Sequence, residues 1–482
     1  MKGLRRSSGA LVAMVVLAAV ATGCVQEPAR ITASAGLFPT FSRDITDYVN
    51  RCDPGVATKI DVDATAGTTV SVNGSPLQGG QFSVSVPQQV GRRFVIAVRK
   101  DDRTTTHSVR CLPPDFPRWE VTRTRATQAE YYATLPFDFA NFAGGYPTLF
   151  DDHGVPIWWG EKSNGRYATM VGNNPTWFQS GVFEEHRLDG SLVRTFGTVG
   201  AQADFHDLVV LPNGNHVMAT VQPRAHANLS SWGGPADTTI LDHVIQEIDP
   251  LGRVVWSWDT ADHISVNETT PYFRLTELQN PGGPFSNYYD PFHYNSVTPS
   301  GNGYVLSFRH LDAVYKIDRA TGSIEWKLGG SLRRESLSFF GDYISERDGA
   351  FGGQHDARVL SDGTVTLYDD GTGKDRAPRA VAYRLELDRR RAVLLDQVTD
   401  PSVPRSDCCG SARVTPRGNY VMGWGGTVDD APDITESTPS GTRIFSIRFP
   451  NDVVYRAEPI PFNTIPREDL RRGMDARYAA RP

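Results

Sequence analysis

Three histidines stand at one repeated offset in the chain. His206, His293 and His355 each lie eight residues before a turn glycine, namely Gly214, Gly301 and Gly363. Only 11 of 482 residues are histidine, so three at one offset form a pattern rather than scatter. Arg309 lies eight residues after Gly301. Residues equally far from a hairpin turn meet at its open end, which predicts that Arg309 neighbours His293. Asn295 follows His293 by two residues, and residues two apart on a strand share a face. His206 and His355 are each followed by an aspartate, Asp207 and Asp356. A neutral imidazole can attack an electrophile or carry a proton near neutral pH. A guanidinium beside several imidazoles suits an oxyanion. The set therefore points to chemistry on an anionic group.

A lone histidine in a β-rich repeat protein is usually a structural residue bonded to backbone or aspartate. Three in register with an arginine shift the balance toward a site. Three neutral imidazoles would also suit zinc. Arg309 argues against a metal, because a cation beside a cationic metal is unfavourable without an anion between them. No metal and no cofactor is expected. The remaining histidines (His107, His153, His186, His216, His226, His243, His263 and His310) lack the register and are read as surface or structural.

The elements that must position these groups read as strands. Glycine (45) and proline (32) are numerous, which favours a turn-rich β protein. From about 116 to 460 the chain repeats two hairpin units. One is Leu211-Pro212-Asn213-Gly214-Asn215 and its relatives at Thr298–Asn302, Leu360–Thr364 and Thr415–Asn419. The other is an aspartate turn before an apolar, often Trp-bearing strand, as at Asp249-Pro250-Leu251-Gly252 before Val254-Val255-Trp256. Two hairpins per repeat make the four strands of a propeller blade, and roughly six blades are expected. Long insertions fall at 223–240 and 262–290. Equivalent positions in a propeller are related by rotation, so the three imidazoles should surround the axis at one depth. The Trp residues of the turn units are read as blade core.

Residues 30–115 show period-two alternation, as in Arg93-Phe94-Val95-Ile96-Ala97-Val98, with turns such as Asn73-Gly74. That predicts a small antiparallel β-sandwich ahead of the propeller, similar to cadherin-like sandwiches. Cys52 and Cys111 flank it and are paired on that ground. Closing that loop would stabilise by about 4 kcal/mol in the chain-entropy model. Cys408 and Cys409 are adjacent and read as either a vicinal disulfide or two thiols. Residues 461–482 are read as a C-terminal tail.

Residues 1–23 form a signal peptide: Lys2, Arg5 and Arg6 precede an apolar stretch, Ala10 to Ala21, too short to span a bilayer. Ala21-Thr22-Gly23-Cys24 resembles a lipoprotein processing site, which predicts acylation at Cys24. Ordinary secretion with cleavage after Ala21 is the other reading. The expected location is the cell envelope, with a lipid anchor as the only membrane contact. Removing residues 1–23 takes the net charge from −6 to −9, so nucleic acid is not an expected partner.

At Phe205-His206-Asp207, Phe292-His293-Tyr294-Asn295-Ser296, Ser307-Phe308-Arg309-His310, Trp326-Lys327-Leu328-Gly329-Gly330 and Gln354-His355-Asp356-Ala357-Arg358 the chain resembles the bacterial arylsulfotransferases. These are propeller enzymes that use no nucleotide sulfate donor, and the likeness runs from about 200 to 430. The resemblance implies that His355 is transiently sulfated. It implies that His206, His293 and Arg309 contact the sulfuryl group, supported by Asn295. The partners would be an aryl sulfate donor and a phenolic acceptor, exchanging by a ping-pong route. Which of His206 and His293 moves the proton stays open. No Gly-rich phosphate cradle of the Walker type is present.

Two other readings compete. A non-catalytic binding propeller at the cell surface would acquire no covalent sulfate. A hydrolase or metal-dependent lyase on the same fold would release sulfate or cleaved glycan, and a metal-dependent one would lose activity to a chelator.

Overall fold

Alternation of burial along Ala57–Ala64 shows how the N-terminal unit is built: Thr58, Ile60, Val62 and Ala64 are buried while Ala57, Lys59 and Asp63 are exposed. A strand with one apolar face needs a second layer to cover it. In this computed structural model, residues 27–479 are described, apart from 54, 139–140, 142, 275–277, 279–287 and 428–429. Cys24 and the leader lie outside the described residues. The strand Ala57–Ala64 sits between Ala29–Ala33 and Gln81–Pro87 in a three-stranded antiparallel sheet. A second sheet runs Asp47–Asn50, Arg103–Cys111, Arg93–Lys100, Thr68–Val72. Both contribute to one apolar core, with Ile31, Ile60 and Val62 from the first and Val70, Ile96 and Val109 from the second. Cys52 and Cys111 are joined by a disulfide, with Cα atoms 5.6 Å apart.

The body is all-β and propeller-like. Consecutive antiparallel meanders follow one another, each with short hairpins. The first sheet runs Pro156–Trp159, Thr148–Asp151, Ala129–Thr134, Glu458–Pro461. The second runs Ala168–Val171 through Leu192–Phe196. The third pairs Gln202–Ala203 and Val209–Val210 with His216–Ala227, followed by Thr238–Ile248 and Val254–Asp259. The meander Tyr294–Gly329 and the meander His355–Val398 are joined by Ser336–Phe340, which pairs in parallel with both. The last sheet runs Ser411–Val414, Tyr420–Gly423, Ile434–Ser437, Arg443–Arg448, and adds Glu120–Arg123 at its edge. The body is thus closed twice. Its first strand pairs with the last meander, and Glu458–Pro461 pairs with the first. Paired edges remove the exposed backbone that would otherwise invite association.

The hairpin glycine Gly363 has φ +85°, and a Cβ placed there would meet nothing within 4 Å, so its need is conformational rather than spatial. The insertion at 223–240 is a hairpin extension: His216–Ala227 pairs with Thr238–Ile248 well beyond the sheet. Described parts of the other insertion include the short helix Thr260–His263 and the turn Val266–Glu268. Helix Arg467–Arg477 lies between the N-terminal unit and the body. Arg471 and Arg467 pair with Asp47 at 2.6 and 3.1 Å, and Arg467 reaches Asp151 at 2.7 Å. Asp475 accepts from Arg93 and Arg110, both at 2.8 Å, while Leu470 and Met474 are fully buried. Among the described residues no helix is long and apolar enough to cross a membrane.

Candidate functional site

The loops that enter three of the meanders bring His206, His293 and His355 together. The His206 and His293 rings lie 5.1 Å apart, and those of His293 and His355 6.4 Å apart. The Tyr455 ring sits 5.7 Å from His206 and 6.2 Å from His355. Each imidazole is held by its own local device. Asp204 accepts from the His206 backbone N–H at 2.7 Å and lies 2.6 Å from its Nδ1. Phe205 stacks on the His206 ring at 4.1 Å. Asp290 accepts from the His293 backbone N–H at 2.8 Å and lies 2.8 Å from its Nδ1 through the other oxygen. His293 has φ +51° and precedes the strand Tyr294–Ser300, so strand periodicity does not set its direction.

His355 opens the strand His355–Val359, and its Nδ1 donates to the Gly353 carbonyl at 2.8 Å. With Nδ1 carrying the proton, Nε2 of the neutral ring keeps its lone pair. Burial holds His355 well below the usual histidine range, and the charges of Arg309, His293 and His206 push the same way. The ring is therefore neutral near pH 7. Asp370 lies 3.7 Å from His355 Nδ1, and burial raises its carboxyl to about 8. Burial also lowers His293, against the pull of Asp290.

Arg309 meets His293 through the backbone, donating its N–H to the His293 carbonyl at 2.8 Å. Its guanidinium donates to the Thr372 hydroxyl at 3.3 Å, to the Asp407 carbonyl at 3.2 Å and to His310 Nε2 at 2.9 Å. His310 in turn donates from Nδ1 to the Asp290 carbonyl at 2.6 Å, and burial keeps it well below the ordinary histidine value. The loop that supplies the Asp407 carbonyl carries the disulfide Cys408–Cys409. Asn295 is fully buried and donates from Nδ2 to the Gln354 carbonyl at 2.9 Å, which ties it to the residue before His355.

Beneath the histidines lies a second layer. Asp207 accepts from Arg456 at 2.9 Å, from Arg358 at 3.0 Å and from the Val297 N–H at 2.9 Å. Asp356 accepts from Arg358 at 2.8 Å and from Arg413 through both oxygens at 2.7 and 2.8 Å. Arg456 also donates to the Asn295 carbonyl at 2.6 Å. Burial alone would raise Asp356, but Arg358, Arg413 and Arg456 outweigh it and hold the carboxyl well below its usual value. Glu458 pairs with Arg413 at 3.2 Å, so three carboxylates face three guanidinium groups.

Sequence reasoning missed several residues of the cluster. His310 and His243, which lack the glycine register and were read as surface or structural, are 2% exposed, hence not at the surface, and both touch Asp290. Asp204 and Asp290, two and three residues before their histidines, carry no repeat signature. A short Asp-to-His spacing and the adjacency of His310 to Arg309 were the available signals. Asp290, His293 and His310 place ligand-type atoms within 4.8 Å of one another. These atoms are engaged with one another and with Arg309, so a metal ion there would have to displace those bonds beside a fixed cation.

A family model described as arylsulfotransferase (ASST) matches residues 187–450, more than half of the chain. No curated protein matches the sequence. Among solved structures, a structural-genomics protein of unknown function from Bacteroides thetaiotaomicron is similar at 13% identity, covering 82% of this chain and 95% of that one, with TM-score 0.28. Hydrazine synthase from Kuenenia stuttgartiensis is similar at 12% identity, covering 71% and 96%, with TM-score 0.30. A quinonprotein alcohol dehydrogenase-like protein from Bacteroides thetaiotaomicron is similar at 9% identity, covering 84% and 97%, with TM-score 0.27. None of these three likenesses bears on activity.

Proposed function

The chain belongs to the arylsulfotransferase family, and on that premise we propose that it moves a sulfuryl group from an aryl sulfate to a phenol through a sulfated His355. The carrying observation is the tautomer of His355. Its Nδ1 proton is committed to the Gly353 carbonyl, which leaves Nε2 as a nucleophile beside Arg309, His206 and His293.

The Nε2 lone pair forms a bond to sulfur while the bond from sulfur to the aryl oxygen breaks. The leaving phenolate takes a proton from His206 or His293 in its protonated form, each aligned by its aspartate. Arg309 offsets charge on the sulfuryl oxygens. In the second half the acceptor phenol gives its proton back to that histidine. Its oxygen attacks sulfur and the bond between nitrogen and sulfur breaks. Donor and acceptor thus use one site in turn. Asn295 supports this arrangement through its bond to the Gln354 carbonyl.

The proposal includes the domain plan: a signal peptide at 1–23, a β-sandwich at 30–115, roughly six blades over 116–460 and a C-terminal tail at 461–482. It also includes export and a lipid anchor at Cys24. Intact-protein mass spectrometry after brief exposure to 4-nitrophenyl sulfate tests the mechanism, and the same spectrum reads the modification of Cys24. One added sulfuryl group mapping to His355 is expected. His355→Ala should lose both the adduct and at least about a thousandfold in transfer rate. Full transfer by that variant would refute the assignment.

A further inference from the structure

Resting on that reading, we propose that His243 is a positioning residue, a buried bridge between Asp204 and Asp290 that fixes the orientation of both His206 and His293. His243 belongs to Thr238–Ile248, away from the loops that carry the reacting groups. It is 2% exposed. Its Nε2 lies 3.3 Å from Asp290 Oδ1, and its Nδ1 faces Asp204 Oδ2 at 3.8 Å. The other oxygen of Asp204 binds His206, and the other oxygen of Asp290 binds His293. One ring thus stands between the two carboxylates that align the two candidate proton carriers.

Charge makes the bridge necessary. Asp204 is 4% exposed and the Asp290 side chain, 22% exposed, lies against His243 and His293, so two carboxylates share this space. Carboxylates this close with no cation between them repel each other and hold the rings they orient less firmly. His243 Nδ1 has no hydrogen-bond partner among the described residues, and the nearby anionic group is Asp204. A protonated ring answers both facts. Burial alone would lower His243, but the hydrogen bond to Asp290 and the carboxylates of Asp290, Asp204 and Asp242 more than offset it. Among the described residues, the other neighbours that touch His243 are not cations. Asp242 is engaged by Arg224 at 2.6 Å, the Tyr294 ring lies 6.1 Å away, and the Thr260 hydroxyl accepts the His243 backbone N–H at 2.9 Å.

Orienting partners behind a reacting group typically contribute about tenfold to a hundredfold. His243→Gln should therefore lower kcat for transfer from 4-nitrophenyl sulfate by about tenfold to a hundredfold, with KM changed by less than about threefold. Losing the bridging cation removes its repulsion of a second proton on His293, which becomes more basic. The histidine limb of the pH–rate profile should move to higher pH. His243→Lys, which keeps the charge, should restore the wild-type profile in part. Neutron diffraction from crystals of the wild-type protein at neutral pH should locate protons on both nitrogens of His243, whatever the variants do. A singly protonated His243, or a folded His243→Gln protein with wild-type kcat and profile, would overturn the bridge. Absence of transfer and of adduct in the wild type would instead overturn the sulfuryl-transfer reading.

Discussion

Two layers of polar side chains occupy the centre of the body, and they are built on opposite terms. The upper one holds His206, His293, His355 and Arg309. The lower one holds Asp207, Asp356, Arg358, Arg413 and Arg456. In His206-Asp207 and His355-Asp356 the two layers are adjacent residues of one segment. The lower layer is densely paired: its carboxylates each take two or more charge-assisted bonds, from Arg358 nearby and from Arg413 and Arg456 farther along the chain. The upper layer leaves His355 Nε2 without a hydrogen-bond partner among the described residues, as the proposed nucleophile requires. The difference teaches that the histidines gain precision from a densely paired floor as well as from the single partner that holds each Nδ1.

That contrast can be broken. Arg456→Met takes one of two buried cations from Asp207 and the donor from the Asn295 carbonyl. It should cost about 3–5 kcal/mol of stability, read by denaturant titration. A loss under about 1 kcal/mol would mean that the floor is not the rigid element. Arg309→Lys acts on the other layer. It should leave stability within about 1 kcal/mol while lowering kcat by about a hundredfold, because a lysine cannot reproduce the planar fork. A large stability loss there would merge the two layers into one structural unit.

The gentlest separation uses pH. His293, His310 and His355 are all depressed below the ordinary value of 6.5, with burial the first cause. A histidine that stays neutral when folded but is protonated when unfolded contributes stability above its unfolded value. That contribution is lost as pH falls below 6.5 toward the folded values. Asp356 is depressed below 3.8, so the floor keeps its contribution until pH falls below that range. Buried Asp312 and Asp370, raised to about 7 and 8, gain stability as pH falls and oppose this trend, so the histidine contribution is read as the difference in melting temperature between wild type and His355→Gln, which should shift steadily between about pH 6.5 and 4. A difference that stays constant over that window would show that the His355 imidazole is not neutral.

Much of the upper layer was legible in the sequence because a fixed distance from a turn glycine carries across repeats. The three histidines meet for that reason, and Arg309 meets His293 through hairpin symmetry. The floor was not legible in the same way. Asp207 and Asp356 stood out beside the histidines, and Arg358 follows Asp356 by two on one strand, but Arg413 and Arg456 come from other segments, and no local pattern encodes that convergence. Asp204, Asp290 and His243 escaped notice because they work through long-range ion pairs rather than periodicity. The helix Arg467–Arg477 falls in the segment read as a tail. It has few apolar residues, and its docking relies on Arg467, Arg471 and Asp475 as much as on Leu470 and Met474.

The strand Glu458–Pro461 seals the first sheet, and Arg456 stands just before it. A chain halted by premature termination before this point would possess all three histidines yet hold neither the seam nor the second cation that braces Asp207. Closure of the first sheet and the full bracing of Asp207 are thereby fused into one late event of synthesis.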